Sequence, residues 1–207
     1  MSEKNRVNYL FWFLHTLIYI YMRLLGGLRL RGKHKIPRDG GLIIASNHIA
    51  AADPFLLGSA IPRELWFMAK KELFKPFLLG RFIAKVNAFP VDRFGFDIEV
   101  IKKSISLLKQ GRALIMFPEG TRSKDGRIME GKIGVGMLAY KAGVPIVPAY
   151  VANTKRAWWN LFKGKRMKVN FGDVIEADWI KSLPGSKEGY RQITDLLMER
   201  IRELQGD

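Results

Sequence analysis

Strand and helix signals alternate along this chain, and that alternation restricts its fold more than any single motif does. The runs G-L-I-I-A-S (41–46), E-L-W-F-M-A (64–69), A-F-P-V-D (88–92), A-L-I-M-F-P (113–118) and P-I-V-P-A-Y-V (145–151) are short and apolar, as strands are, and K-V-N-F-G-D-V (168–174) adds a later one. Helical spacing fills the gaps. In D-I-E-V-I-K-K-S-I-S-L-L-K, Ile98, Ile101, Ile105 and Leu108 recur every three or four residues, Asp97 can cap the start and Gly111 can end it. Strand, helix, strand in series predicts an α/β domain with a mainly parallel or mixed central sheet flanked by helices. Tyr190, Ile193, Leu197, Ile201 and Leu204 share one face of a closing amphipathic helix. No repeat, low-complexity tract or long linker divides the chain, so residues 36–207 read as one domain behind an N-terminal segment, 1–35.

That first segment carries V-N-Y-L-F-W-F-L-H-T-L-I-Y-I-Y-M between Arg6 and Arg23, sixteen residues without a formal charge and apolar on nearly all sides of a helix. At ~1.5 Å per residue it covers about 24 Å, short of the roughly 30 Å of hydrocarbon that a spanning helix crosses. Its Tyr and Trp content and the flanking Lys4, Arg6, Arg23, Arg29, Arg31, Lys33 and Lys35 favour a helix seated in one leaflet against anionic lipid. A signal peptide would need a small-residue cleavage site, which M-R-L-L-G-G-L-R-L-R does not offer. A buried core helix is the other reading. Charge points the same way as the membrane reading: 35 Lys+Arg against 19 Asp+Glu give +16, a surface that attracts nucleic acid, anionic lipid or an acidic protein. The chain has no cysteine, which excludes disulfides, thiolate metal sites and a cysteine nucleophile.

S-N-H-I-A-A-A-D-P-F (46–55) follows the first of the central strands, at the carboxyl end where ligands gather in such sheets. Five residues apart on a helix, His48 and Asp53 would be rotated by about 140° and could not meet. A turn lets them meet: Pro54 suits a first helical position, so Asp53 can sit at the N-cap with the preceding segment curling back. A carboxylate bonded to one imidazole nitrogen fixes the tautomer and leaves the other to take a proton from an alcohol. The same two residues are equally what a core histidine beside a helix-capping aspartate looks like. F-P-E-G-T-R-S (117–123) also follows a strand: Gly120 lets backbone approach, Thr121 and the amides can bond oxygens, and Arg122 can grip a phosphate. Glu119 can hold that arginine or bond a substrate hydroxyl. Arg93, in F-P-V-D-R beside Asp92, is a second guanidinium at a strand end. Each stretch alone is ordinary turn chemistry.

In that order, N-H-I-A-A-A-D, F-P-V-D-R, F-P-E-G-T-R-S and V-P-I-V-P-A (144–149) resemble the four blocks of the glycerolipid acyltransferases, most closely the bacterial 1-acyl-sn-glycerol-3-phosphate acyltransferases, over roughly residues 44–151. The resemblance implies transfer of a fatty acyl group from acyl carrier protein or coenzyme A to a lysophosphatidic acid hydroxyl, giving phosphatidic acid. It implies His48 as base, Asp53 as its partner, and Arg93, Glu119, Gly120, Thr121 and Arg122 around the glycerol phosphate. Lys70, in M-A-K-K-E-L, resembles a lysine between the first two blocks that can stabilise an oxyanion, and the resemblance implies that Pro145 and Pro148 shape the acyl or acceptor site. No metal and no bound cofactor are expected, the acyl thioester being a substrate. The expected location is the cytoplasmic face of the cell membrane, held monotopically by the N-terminal segment, and W-W-N-L-F-K-G-K-R (158–166) offers a second aromatic and basic contact. Glycerol 3-phosphate or another lysolipid is an alternative acceptor, and a non-catalytic lipid-phosphate-binding module is the rival class. Nucleic acid is not expected, since neither zinc spacing nor an aromatic RNA-binding signature is present.

Overall fold

The expected alternation builds a single sheet. The computed structural model describes residues 8–24, 27–91, 97–155, 162 and 164–206. Its strands are β1 (Arg29–Arg31), β2 (Leu42–Ser46), β3 (Leu65–Lys70), β4 (Ala88–Val91), β5 (Ala113–Met116), β6 (Ile146–Ala152) and β7 (Lys168–Phe171), in the order β1-β7-β6-β2-β5-β3-β4. Neighbours pair in parallel except β6 and β7, so β1 and β7 run against the other five and the sheet is mixed. The helices are α1 (Tyr9–Leu24), α2 (Asp53–Ala60), α3 (Phe77–Lys85), α4 (Ile98–Lys109), α5 (Gly134–Ala142), α6 (Ala177–Ser182) and α7 (Lys187–Glu203).

Two apolar layers hold them to the sheet. β2 is buried along its whole length, as a parallel strand covered on both faces must be. Leu42 and Ile44 join Phe11, Leu56, Leu57 and Ile61 of the α1 and α2 side, whereas Ile43 and Ala45 join Leu107, Leu108, Val135, Leu138, Ile193 and Leu197 of α4, α5 and α7. Each such Leu or Ile contributes roughly 1.5–3 kcal/mol by leaving water. The layering follows from right-handed crossovers. β2-α2-β3 and β3-α3-β4 step the same way across the sheet and put α2 and α3 on one face; α4 and α5 step back and lie on the other. Under the sheet, the Arg63 guanidinium donates to the carbonyls of Pro37, Asp39, Gly40 and Gly111 at 2.6 to 3.3 Å, tying the turns that precede β2 and β5.

Local signals account for most boundaries. Asp97 caps α4 by accepting from the amides of Glu99 and Val100, and Gly111, at φ 81°, lets the chain leave toward β5. Gly136 in α5 is required because α7 lies against it: a Cβ there would stand 2.2 Å from the Tyr190 carbonyl oxygen. Pro148 sits inside β6 without breaking it, because this side of β6 faces the bulge between Phe171 and Ile175. Only its carbonyl is used there, accepting from Gly172 at 2.9 Å.

Four expectations change. β5 ends at Met116, not Pro118, because Phe117 and Pro118 already belong to the turn that carries Glu119. R-L-R, expected to be basic flanking sequence, forms β1 and pairs along β7. α1 is not lipid-like all round: Phe11 is buried, and Trp12 and Met22 pack against the core. Asp53 is the first residue of α2 and not its cap, for a reason that lies in the site. Arg93, Trp158 and Trp159 lie outside the described residues. No helix among the described residues is long and apolar enough to cross a membrane.

Candidate active site

Past Ser46 the chain leaves β2, turns through residues 47–52 and enters α2 at Asp53. Asn47 sets the start of that turn. Its amide copies a strand residue, donating to the Val151 carbonyl at 3.0 Å and accepting from the Val151 amide at 2.8 Å, so the β2–β6 ladder continues through a side chain. Asp53 then draws the turn shut. Its Oδ2 accepts from the amides of Ile49 and Ala50, each at 2.7 Å, and from His48 Nδ1 at 2.8 Å. Its Oδ1 accepts from Thr154 Oγ1 at 2.6 Å. Both oxygens are therefore committed to the turn and to β6, and none is left to cap α2.

A carboxylate only accepts, so Nδ1 carries the ring proton and Nε2 is left with a lone pair. The imidazole is held in plane by Phe117, stacked on it at 4.0 Å with 20° between the rings. His48 is 7% and Asp53 0% exposed, which keeps water from competing for their hydrogen bond. The arrangement can take a proton from an alcohol placed at Nε2.

The second expected stretch meets the first. Glu119 Oε1 accepts from the His48 amide at 3.4 Å, and the Ser123 amide donates to the His48 carbonyl at 2.8 Å. Gly120 needs its φ of 71°, and a Cβ there would stand 2.9 Å from Lys132 Nζ. Thr121 and Arg122 are exposed beside it, and Arg122 makes no ion pair among the described residues, so Glu119 does not hold it. Glu119 Oε2 is buried and finds no hydrogen-bond partner among the described residues. Burial pushes the Glu119 carboxyl up to about 7; the His48 and Met129 amides pull it down and the Asp53 charge adds to the rise. A buried acceptor with a free oxygen beside the His48 turn is suited to a ligand hydroxyl.

Lys70 is not drawn in: it ends β3, two places from β2 in the sheet, with Nζ 3.5 Å from Glu72. A cleft of about 310 Å³ lies farther along the same edge, lined by Lys71, Phe89, Pro90, Asp97, Glu99, Val100 and Lys103, none of them an expected site residue. Among the described residues no group of three or more His, Asp or Glu side chains is placed to hold a metal ion. Sequence reasoning missed Asn47, Thr154 and Lys132. Asn47 stood inside the quoted S-N-H stretch and could have been found there; Thr154 and Lys132 carry no local signal.

Residues 27–152 match the acyltransferase family, which takes in the His48 turn and the Glu119 turn together. The chain belongs to the acyltransferase family. A 1-acyl-sn-glycerol-3-phosphate acyltransferase of Bacillus subtilis is 35% identical over 194 residues, covering 93% of this chain and 96% of its own. Its counterpart in Streptococcus pneumoniae is 30% identical over 91% of this chain and 73% of its own. The crystal structure of the 1-acyl-sn-glycerophosphate (LPA) acyltransferase of Thermotoga maritima superposes with a TM-score of 0.72 over 95% of this chain and 82% of that one. At 23% identity that likeness shows a shared fold.

For this acyltransferase, Thr154 lies just beyond the family match, at the end of β6. Asn153 before it adopts φ 61°, the left-handed turn that sends the next side chain back toward Asp53. Replacing Thr154 by Val removes the donor and keeps the shape. We expect kcat to fall about tenfold to a hundredfold with the acceptor KM little changed, and Thr154→Ser to recover most of the rate. Wild-type turnover in Thr154→Val would show that Asp53 holds His48 unaided.

Glu119 gives a pH-dependent stability with a definite sign. Its folded pKa of about 7 lies above the ordinary 4.5, so between those values the folded protein holds more protons than the unfolded one. Stability therefore falls as pH rises through that window. Glu119→Gln should be more stable than wild type by about 1–3 kcal/mol at about pH 8, with the gap closing toward about pH 4.5, in thermal melts. A gap that does not vary with pH would contradict the assignment.

Proposed function

We propose that this acyltransferase moves a fatty acyl group from acyl carrier protein or coenzyme A to the sn-2 hydroxyl of 1-acyl-sn-glycerol 3-phosphate, giving phosphatidic acid. The observation that carries the reading is the buried His48–Asp53 pair at 2.8 Å with the Glu119 turn fastened to its backbone. The names of the full-length relatives support the acceptor, since each is a 1-acyl-sn-glycerol-3-phosphate acyltransferase.

In this reading His48 Nε2 removes the hydroxyl proton as the oxygen attacks the thioester carbonyl carbon. The tetrahedral intermediate collapses, the carbon–sulfur bond breaks, and the thiolate takes the proton back from the imidazolium. Asp53 keeps the ring in the tautomer that starts the cycle. Glu119 Oε2 accepts from the acceptor lipid, and Arg122, with Arg93, binds its phosphate. Lys132 Nζ, above Gly120, adds a third cation at that end. Lys70 would serve the oxyanion only after leaving Glu72. The proposed chemistry calls for no metal and no bound cofactor.

The acceptor is a membrane lipid, and we place the enzyme at the cytoplasmic face of the cell membrane, held in one leaflet by its N-terminal segment. Tyr9, Phe13, Leu17, Ile20 and Leu24 recur at three or four residues along α1 and are all exposed, so the side turned from the core is apolar. Net charge of +16 draws that side to anionic lipid.

Purified enzyme incubated with lysophosphatidic acid and labelled acyl thioesters should form phosphatidic acid, whereas His48→Ala forms none and still binds lysophosphatidic acid. Activity in His48→Ala would remove the base. Arg122→Ala should raise the acceptor KM by about tenfold or more, as expected for loss of a charge-assisted phosphate contact; an unchanged KM and kcat would remove the cradle.

A further inference from the structure

Among the described residues, an apolar surface on α3 is used neither by the core nor by the site. Between β3 and β4 the chain forms a short 3-10 turn, Lys71–Phe74, and then α3. Four of its large side chains stand in solvent: Leu78 is 81% exposed, Phe77 69%, and Leu79 and Phe82 42% each. At ~100° per residue Leu78, Phe82 and Leu79 fall within an arc of about 100°, with Arg81 and Lys85 together at its margin. The guanidinium of Arg81 lies 5.1 Å from the Phe77 ring centre. The helix is seated from behind by Gly80, whose missing Cβ leaves room for the Phe74 carbonyl oxygen.

Among the described residues, this surface adjoins that of α1. The Asn8 side chain, at the start of α1, donates to the Lys85 carbonyl at 2.7 Å and to Asn87 Oδ1 at 3.1 Å, so α1 begins where α3 ends. Both helices cover the same face of the sheet. Phe55, 51% exposed, lies on that face too, two residues after Asp53.

We propose that the Lys71–Lys85 segment is a second membrane contact. Its apolar arc enters the leaflet that holds α1 while Lys71, Lys75, Arg81 and Lys85 meet anionic headgroups. The proposal rests on the reading that the acceptor is a bilayer lipid, and it widens the lipid-facing surface that α1 begins. Charge selects the occupant. The segment carries four basic residues against one acid, Glu72, so a second copy would set like charges against each other. An acidic protein would match the charge, but the apolar surface spreads over α3, Phe55 and α1, and an anionic bilayer covers all three at once.

The cysteine-free chain allows a single probe: Leu78→Cys carrying an environment-sensitive dye, with Lys187→Cys on α7 as the control on the opposite face. With vesicles of phosphatidylcholine and phosphatidylglycerol, the dye at position 78 should shift to the blue and be quenched by brominated lipid, and the dye at position 187 should not. A Phe77→Ser, Leu78→Ser, Phe82→Ser variant should bind those vesicles about tenfold more weakly or less, with unchanged kcat on a short-chain, water-soluble lysophosphatidic acid. Unquenched dye together with unchanged vesicle binding would overturn the proposal. So would a shift seen only on adding acyl carrier protein, or only at protein concentrations where the enzyme self-associates. Failure of acyl transfer in every assay, with the dye quenched, would instead strike the proposed reaction and leave the membrane contact standing.

Discussion

A carboxylate shut away from water costs several kcal/mol unless donors surround it, and Asp53 has four. Two are amides of its own turn, one is the His48 ring and one is Thr154, which is 101 residues away in sequence. Remove that carboxylate and two partly buried amides, an imidazole proton and a hydroxyl lose their partner together. The local conformation, the histidine tautomer and the junction with β6 are thus consequences of one side chain. That linkage explains why the helix behind it needs no cap from Asp53: satisfying the turn takes precedence over satisfying the helix.

The rest of the fold positions this turn. β2 runs at the centre of the sheet, buried on both faces, so its end is fixed by apolar layers on each side. β5 and β6 flank it and end at the same edge, one delivering Phe117 and Glu119 and the other Thr154. The three segments are laced by bonds that do not involve a ligand: Asn47 to Val151, Ser123 to His48, Glu119 to the His48 amide. Among the described residues of these segments, Glu119 Oε2 is the buried atom left unsatisfied. A site complete except for one buried acceptor is preorganised, in that binding a hydroxyl there leaves little else to rearrange.

Much of this was legible in the sequence because it is local. Apolar runs located β2 to β6 within a residue or two and the start of β7, whose end they overran by three residues, and Asp97 and Gly111 fixed the ends of α4 as capping chemistry predicts. His48, Asp53 and Glu119 could be singled out because each follows a strand. Contacts made across the sheet were not legible. Thr154 looks like any loop threonine until β6 is placed beside β2, and Lys132 is an ordinary lysine until its ammonium is found over Gly120. R-L-R has too little apolar length to announce β1, and α3 carries a weak helical signal because its apolar residues are interleaved with basic ones. That interleaving is the feature that suits it to a headgroup layer.

The chemistry of this site depends most directly on the state of one ring. The chain has three histidines, so nitrogen-15 spectra of histidine-labelled protein can be assigned by replacing His15 and His34 in turn. The geometry predicts that neutral His48 carries its proton on Nδ1, with Nε2 showing the resonance of a bare acceptor, and that Asp53→Asn abolishes this preference. A neutral His48 protonated at Nε2 would have its lone pair on Nδ1, facing Asp53 and not an alcohol, and would contradict the central claim.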